Sequence, residues 1–135
     1  IEAVSFVSPK HVPQMADADE ILQAIGDDEN IDEVALALNQ KGYKRAIEAK
    51  VDWICYVMAA TETMSLKNTN TTIADGLQMT KNCIAEAHAN GVKVRGSIAV
   101  TWVCPYEGEV PKERILEITK ELVEAGADEI AFNDT

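Results

Sequence analysis

Five apolar runs of strand length alternate along the chain with four segments of helical period. The strand-length runs are apolar on both faces, the pattern of a sheet covered by helices rather than one facing water. These two observations predict an α/β fold built from parallel β/α units. A third narrows it. No Gly-x-Gly-x-x-Gly follows any of the strands, so the dinucleotide-binding version of this architecture has no support.

Val4 to Val7 is a short apolar strand closed by Ser8-Pro9. Asp17 to Ile25 reads as a helix, with Ile21, Leu22 and Ile25 on one face and Gly26 as its stop. Glu33 to Leu38 is a buried strand, and Asn39 is placed to cap a helix over Lys41 to Ala49. Trp53 to Ala59 is a second continuous apolar run, followed by a loop through Asn70. Thr72 opens the longest helix, which runs to Ala89 and stops at Asn90-Gly91. Val92 to Trp102 is the next strand, Pro111 takes the first position of a helix ending at Gly126, and Glu129 to Phe132 is the last strand.

The first residue already lies inside a strand and the last closes one. A (β/α)8 TIM barrel needs roughly 250 residues and does not close with five strands. The expectation is therefore a partial barrel, one catalytic domain over residues 1–135 that is incomplete at both ends. A self-contained five-stranded flavodoxin-like sheet is the alternative.

Apolar residues at 47% and charged residues at 26% are the proportions of a globular domain, and 135 residues suffice to bury a core. The excess of 23 acidic over 12 basic residues gives −11, a field that repels phosphate backbones, so no nucleic acid is expected as partner. Acidic helix faces that keep the protein in solution are the plainer reading of the same charge. No apolar run reaches the roughly 18 residues that span a bilayer, and no secretory segment is visible, so no membrane partner and no export are expected. Cys55, Cys83 and Cys104 are odd in number and unclustered. That argues against a disulfide framework or a structural zinc and for a reducing compartment.

The most distinctive run is Ser5-Phe6-Val7-Ser8-Pro9-Lys10-His11-Val12-Pro13-Gln14 with Met15, set directly after Ile1-Glu2-Ala3-Val4. Cys104-Pro105-Tyr106-Glu107-Gly108 lies further on, and the sequence closes with Phe132-Asn133-Asp134-Thr135. In this order the strings resemble the 3-hydroxy-3-methylglutaryl-CoA lyase family of metal-dependent TIM barrels. The resemblance implies that the five strands are strands two to six of the barrel. It further implies cleavage of 3-hydroxy-3-methylglutaryl-CoA into acetyl-CoA and acetoacetate, with Mg²⁺ or Mn²⁺ as cofactor. The family's metal ligands belong to its first and seventh strands and beyond, so the resemblance implies no metal ligand within this chain. An acyl-CoA is the implied small-molecule partner, a homo-oligomer the implied state of the full-length protein, and cytoplasm or mitochondrial matrix its place. A related condensing synthase of the isopropylmalate or citramalate type and a non-catalytic partial-barrel interaction module are the alternatives.

In a barrel of this kind the chemistry gathers at the C-terminal ends of the strands. The resemblance places Glu2 in the catalytic cavity, where a carboxylate needs a partner; a buried ion pair that only holds the barrel is the competing role. Strict alternation sets Glu2, Val4 and Phe6 on one face, so Glu2 and Ser5 both reach the cavity only if the strand bulges. Asp134 closes the last strand as a second candidate catalytic group, with Thr135 beside it as a substrate contact; capping a following helix is the other reading of Asp134. Asn133 stands where the family commonly has Gly, and Ser97 where it frequently has Tyr. Asn68 is implied as a substrate contact in the loop after the Trp53 strand, or else a turn residue. Ser5 and Tyr106 complete the substrate-binding set, and Arg95 and Cys104 are assigned structural roles.

Overall fold

The computed structural model describes residues 1–26 and 30–134. In chain order the elements are β1 (Glu2–Ser5), a 3₁₀ turn (Pro13–Met15), α1 (Ala18–Ile25), β2 (Val34–Ala37), α2 (Gln40–Glu48), β3 (Trp53–Ala59), α3 (Glu62–Thr69), α4 (Ile73–Ala89), β4 (Lys93–Ala99), β5 (Val103–Cys104), β6 (Gly108–Glu109), α5 (Lys112–Glu124) and β7 (Glu129–Phe132). Five strands form one parallel sheet in the order β1-β2-β3-β4-β7, while β5 and β6 make a separate antiparallel hairpin. The predicted α/β class and parallel pairing hold.

Several boundaries shift by a single residue, and four further differences from the sequence reading each have a local reason. β1 lies two residues earlier than expected, because its ladder starts where Glu2 meets Val34. β4 ends at Ala99 rather than Trp102, because Val100 turns into the left-handed region at φ 51° and sends the chain into the hairpin. Pro111 sits at the N-cap, one position before the helix it was expected to begin. Glu62–Thr69, read as loop, is a helix, which ends where Asn70 adopts φ 54°. Its polar sequence carries almost no apolar stripe, so periodicity had nothing to register.

One face of the sheet is covered. Val4, Ala35, Ala37, Ile54, Tyr56 and Val94 bury against Leu22, Tyr43, Ala46, Ile84 and Ala87 from α1, α2 and α4. Met58 and Ile98 continue that layer toward Ile115, Ile118 and Leu122 of α5. Capping fixes where the helices start. The Asn39 carboxamide accepts from Gly42 N at 2.9 Å, and the Thr72 hydroxyl accepts from Asp75 N at 3.1 Å.

Gly42 has a second reason to be glycine. A Cβ there would stand 2.7 Å from the backbone oxygen of Phe6, where α2 crosses the end of β1. Helix propensity favours Gly42→Ala by about 1 kcal/mol, but a backbone clash of this kind costs about 1–3 kcal/mol. The substitution is expected to lower the melting temperature, and calorimetry showing a higher one would refute the close approach.

At the N-terminal end of the sheet, Asp128 ties β4 to the chain entering β7. Its Oδ2 accepts from Val94 N and contacts His88 Nε2, both at 2.8 Å. Burial pushes its pKa up, but the Val94 amide and the His88 side chain outweigh burial and leave it below the ordinary carboxylate value. A depressed carboxylate stabilises the fold above its unfolded pKa and loses that contribution as pH falls through its folded one. Thermal melts between pH 7 and 3 should therefore show the protein losing more stability below about pH 4 than Asp128→Asn loses.

Candidate active site

The face of the sheet turned away from the helices carries the polar groups. Strand register sets Leu36, Cys55, Arg95 and Glu129 in one row across it, with Val57, Ser97 and Ala131 in the next row toward the C-terminal ends. β1 joins this face through an irregularity. Glu2 pairs with Val34 and Val4 with Ala35, so Ala3 is the extra residue of a bulge. The bulge brings Glu2 and Ser5 to the same face, the condition the sequence set for both to reach the cavity.

Arg95 and Glu129 form an ion pair on this face, Nε to Oε1 at 3.0 Å and Nη2 donating to Oε2 at 3.1 Å. The Glu129 hydrogen bond holds the guanidinium above its ordinary pKa, burial works against it, and the charge of Glu2 adds to it. Glu2 itself is exposed and makes no ion pair among the described residues. Burial pushes the neighbouring Cys55 thiol up, and Glu2 adds to that shift.

At the C-terminal ends the chain from Ala99 to Val110 folds over the rim. Val100 is β-branched, buried and at positive φ, a combination that costs about 1–3 kcal/mol. The surroundings hold it there. Ala60 N donates to Ala99 O at 3.0 Å, the Thr101 hydroxyl donates to Ile98 O at 2.8 Å, and Thr101 N donates to Asn133 O at 2.9 Å. Asp134, next along, accepts at Oδ1 from Trp102 N at 3.1 Å and from Val103 N at 3.4 Å. Its carboxylate thus pins the start of the hairpin to the end of β7. Asn133 donates its amide to Ser97 Oγ at 2.6 Å, closing a bridge between β4 and β7.

The hairpin is fastened on its other side to α3. The Cys104 sulfur is buried and accepts from the Thr61 hydroxyl at 3.0 Å and from Tyr106 N at 3.5 Å. Burial raises its pKa, but the hydrogen bonds from Thr61 and from the backbone of Tyr106 and Glu107 win and leave it below the ordinary thiol value. The Thr61 hydroxyl makes no cap bond to α3, and the Glu107 carboxylate accepts from the free amide of Thr63 at 2.8 Å. The Lys67 ammonium lies 5.0 Å from the Tyr106 ring centroid.

The structure therefore sets Glu2, Ser5 and Arg95 on the uncovered face of the sheet, Glu2 toward its N-terminal end, and Asp134 just beyond β7 against the start of the hairpin, with Cys104 and Tyr106 in the hairpin itself. Asn68 stands apart as an exposed residue in the last turn of α3, a correction to its reading as a loop residue. Thr135 lies outside the described residues. The sequence reading missed the hairpin, the Glu107 cap and the contact between Ser97 and Asn133. Pro105 and Gly108 were the available signal for the hairpin; residue types alone carry none for a pairing 36 positions apart. Among the described residues no group of three His, Cys, Asp or Glu side chains is placed to hold a metal ion, and no helix is long and apolar enough to cross a membrane.

A protein-family model described as HMGL-like matches residues 1–135. The mitochondrial hydroxymethylglutaryl-CoA lyase of Bos taurus is 38% identical over the whole chain, which covers 42% of that protein. The 3-hydroxy-3-isohexenylglutaryl-CoA/hydroxy-methylglutaryl-CoA lyase of Pseudomonas aeruginosa is 37% identical, again over the whole chain and 45% of the relative. A cytoplasmic lyase of Danio rerio is 36% identical over all of the chain and 40% of its own length. Among solved structures, the HMG-CoA lyase of Bacillus subtilis superposes with a TM-score of 0.95 at 32% identity, over 100% of this chain and 45% of that one. A lyase of Acinetobacter baumannii in complex with coenzyme A and 3-methylmalate gives 0.94 at 30% identity, over 100% of this chain and 44% of that one. The chain thus spans less than half the length of these relatives while following their barrel closely. A parallel sheet helix-covered on one face, a rim hairpin built from Cys-Pro-Tyr-Glu-Gly, and a family match over every residue lead to one conclusion: this chain belongs to the HMGL-like family.

Proposed function

We propose that residues 1–135 are strands two to six of the (β/α)8 barrel of a carbon–carbon lyase acting on 3-hydroxy-3-methylglutaryl-CoA. The observation that supports the reading is the polar, uncovered face of the sheet, which bears Ser5 and Arg95 and whose C-terminal rim carries the hairpin that Asp134 anchors. Comparison supports the same reading, since the matched relatives are named lyases of this substrate and one solved relative holds coenzyme A.

The proposed reaction breaks the bond between C2 and C3. The tertiary hydroxyl loses its proton, its oxygen becomes the ketone of acetoacetate, and the bonding electrons pass to C2 as a thioester enolate. A proton delivered to C2 then gives acetyl-CoA. Asp134 orients the hydroxyl with the carboxylate oxygen that the Trp102 and Val103 amides leave open. Glu2 acts from the opposite strand as a positioning carboxylate, and Ser5 contacts the acyl group. Thr135 follows Asp134 as a further contact, while Tyr106 and Asn68 meet the CoA arm at the rim. The Mg²⁺ or Mn²⁺ of this proposal would be held by the barrel segments that flank these five strands in the family, and would stabilise the negative charge that develops on the substrate oxygens.

The test supplies 3-hydroxy-3-methylglutaryl-CoA to a polypeptide carrying these residues together with the flanking segments its relatives possess. Acetyl-CoA and acetoacetate formed in equal amounts support the reading. Condensation of acetyl-CoA with a 2-oxo acid in place of cleavage overturns it in favour of a synthase.

A further inference from the structure

We propose that Thr101 is a positioning residue for the reaction: its buried hydroxyl fixes the chain leaving β7 and, with it, the carboxylate of Asp134. This rests on the lyase reading and adds a residue to the same site. Asp134 is located by two connections. Its backbone continues from Asn133, directly after β7, and its Oδ1 accepts from Trp102 N and Val103 N at the start of the hairpin. Thr101 holds both. It immediately precedes Trp102, and it is tied to Asn133 by two hydrogen bonds. Thr101 N donates to Asn133 O at 2.9 Å, and Thr101 Oγ1 accepts from Asn133 N at 3.2 Å. The same hydroxyl donates to Ile98 O at 2.8 Å, so one side chain joins the end of β4 to the first residue beyond β7.

Thr101 is fully buried, a place where a hydroxyl is unfavourable unless it is hydrogen-bonded. Here the group both donates and accepts. Neither backbone partner depends on it alone, because Asn133 N also donates to Ile98 O at 2.9 Å. A valine at position 101 keeps the branched shape and leaves neither of those backbone groups unpaired. What it removes is the tie from the Val100 turn to the residue before Asp134. Being buried, the Thr101 side chain reaches the reaction only through what it holds in place. A reacting geometry is sensitive to such shifts, since a misplacement of about 1 Å costs about 100-fold in rate.

The experiment measures steady-state cleavage of 3-hydroxy-3-methylglutaryl-CoA by the protein extended as above, with Thr101→Val, Asp134→Asn, both together, and Thr101→Ser. Thr101→Val should lower kcat about tenfold, with KM changed by less than about twofold. In the Asp134→Asn background the same change should leave kcat where it is, because the carboxylate through which Thr101 acts is gone. Thr101→Ser restores the hydroxyl and should recover turnover. A folding defect lowers the active fraction equally in both backgrounds. An equal loss in the two backgrounds, or full turnover in Thr101→Val, overturns the inference, leaves the lyase reading standing and makes Thr101 a support of the Val100 turn alone. Failure of the unaltered protein to cleave the thioester overturns the lyase reading, and this inference with it.

Discussion

Asp134→Asn, in a polypeptide extended at both ends, is expected to lower kcat about 100-fold with a far smaller change in KM, a loss of roughly 2.7 kcal/mol of transition-state stabilisation. The asparagine keeps an oxygen where Oδ1 accepts from the Trp102 and Val103 amides, so the hairpin stays pinned to β7. Only the charge that orients the reacting hydroxyl is removed. An interaction that matters most in the transition state shows in kcat, whereas uniform binding shows in KM. Asp134→Ala removes the anchor too and should add a fall in melting temperature. Steady-state kinetics of the two variants separates the roles. If Asn retains near-full turnover while Ala only melts earlier, Asp134 is an anchor for the hairpin and no more.

The largest expected loss of stability is at Leu122. It is fully buried on α5, and its Cδ1 would lie 3.1 Å from a Cβ built on Gly96. Leucine therefore fills the space that glycine leaves in β4, and this contact sets how closely α5 approaches the sheet. Leu122→Ala should cost about 2–5 kcal/mol, the range for deleting a buried leucine whose surroundings relax only partly. Gly96→Ala alone should destabilise as well, since the leucine must give way. Combined, the two changes should cost less than their sum, because the new methyl enters the cavity the leucine vacated. Denaturant melts of the four proteins measure that coupling. Strict additivity would mean that the two residues do not share the space.

Much of this fold was legible because its strands and helices carry clean periods. Trp53–Ala59 and Glu129–Phe132 were read to the residue, and the Asn39 and Thr72 caps were visible as residue types. The failures lie where tertiary contacts decide. Val100 is a residue that strand propensity favours, yet it ends β4 in a left-handed turn, because the contacts around Ala99, Thr101 and Asn133 impose a conformation its side chain disfavours. α3 was hidden for a related reason. Its first turn is capped by Glu107 across 44 positions rather than by a neighbour, so no local signal marked it. In the site the same division holds. Glu2, Ser5 and Asp134 came from strings resembling a family, and the bulge needed to align Glu2 with Ser5 was foreseeable as a condition. The role of Asp134 as an anchor for Trp102 and Val103 became visible only once the hairpin was in place.

The most direct measurement of where this protein works is hydrogen exchange on the extended polypeptide, with and without a thioether analogue of 3-hydroxy-3-methylglutaryl-CoA that cannot form the enolate. The amides of residues 97–108 and 130–134 should gain protection on binding, with those at the opposite end of the sheet, around 50–53 and 90–93, unchanged. Protection confined to that opposite end or to the outer helix faces, with the hairpin and Asp134 unaffected, would contradict an active site on the inner face of the sheet.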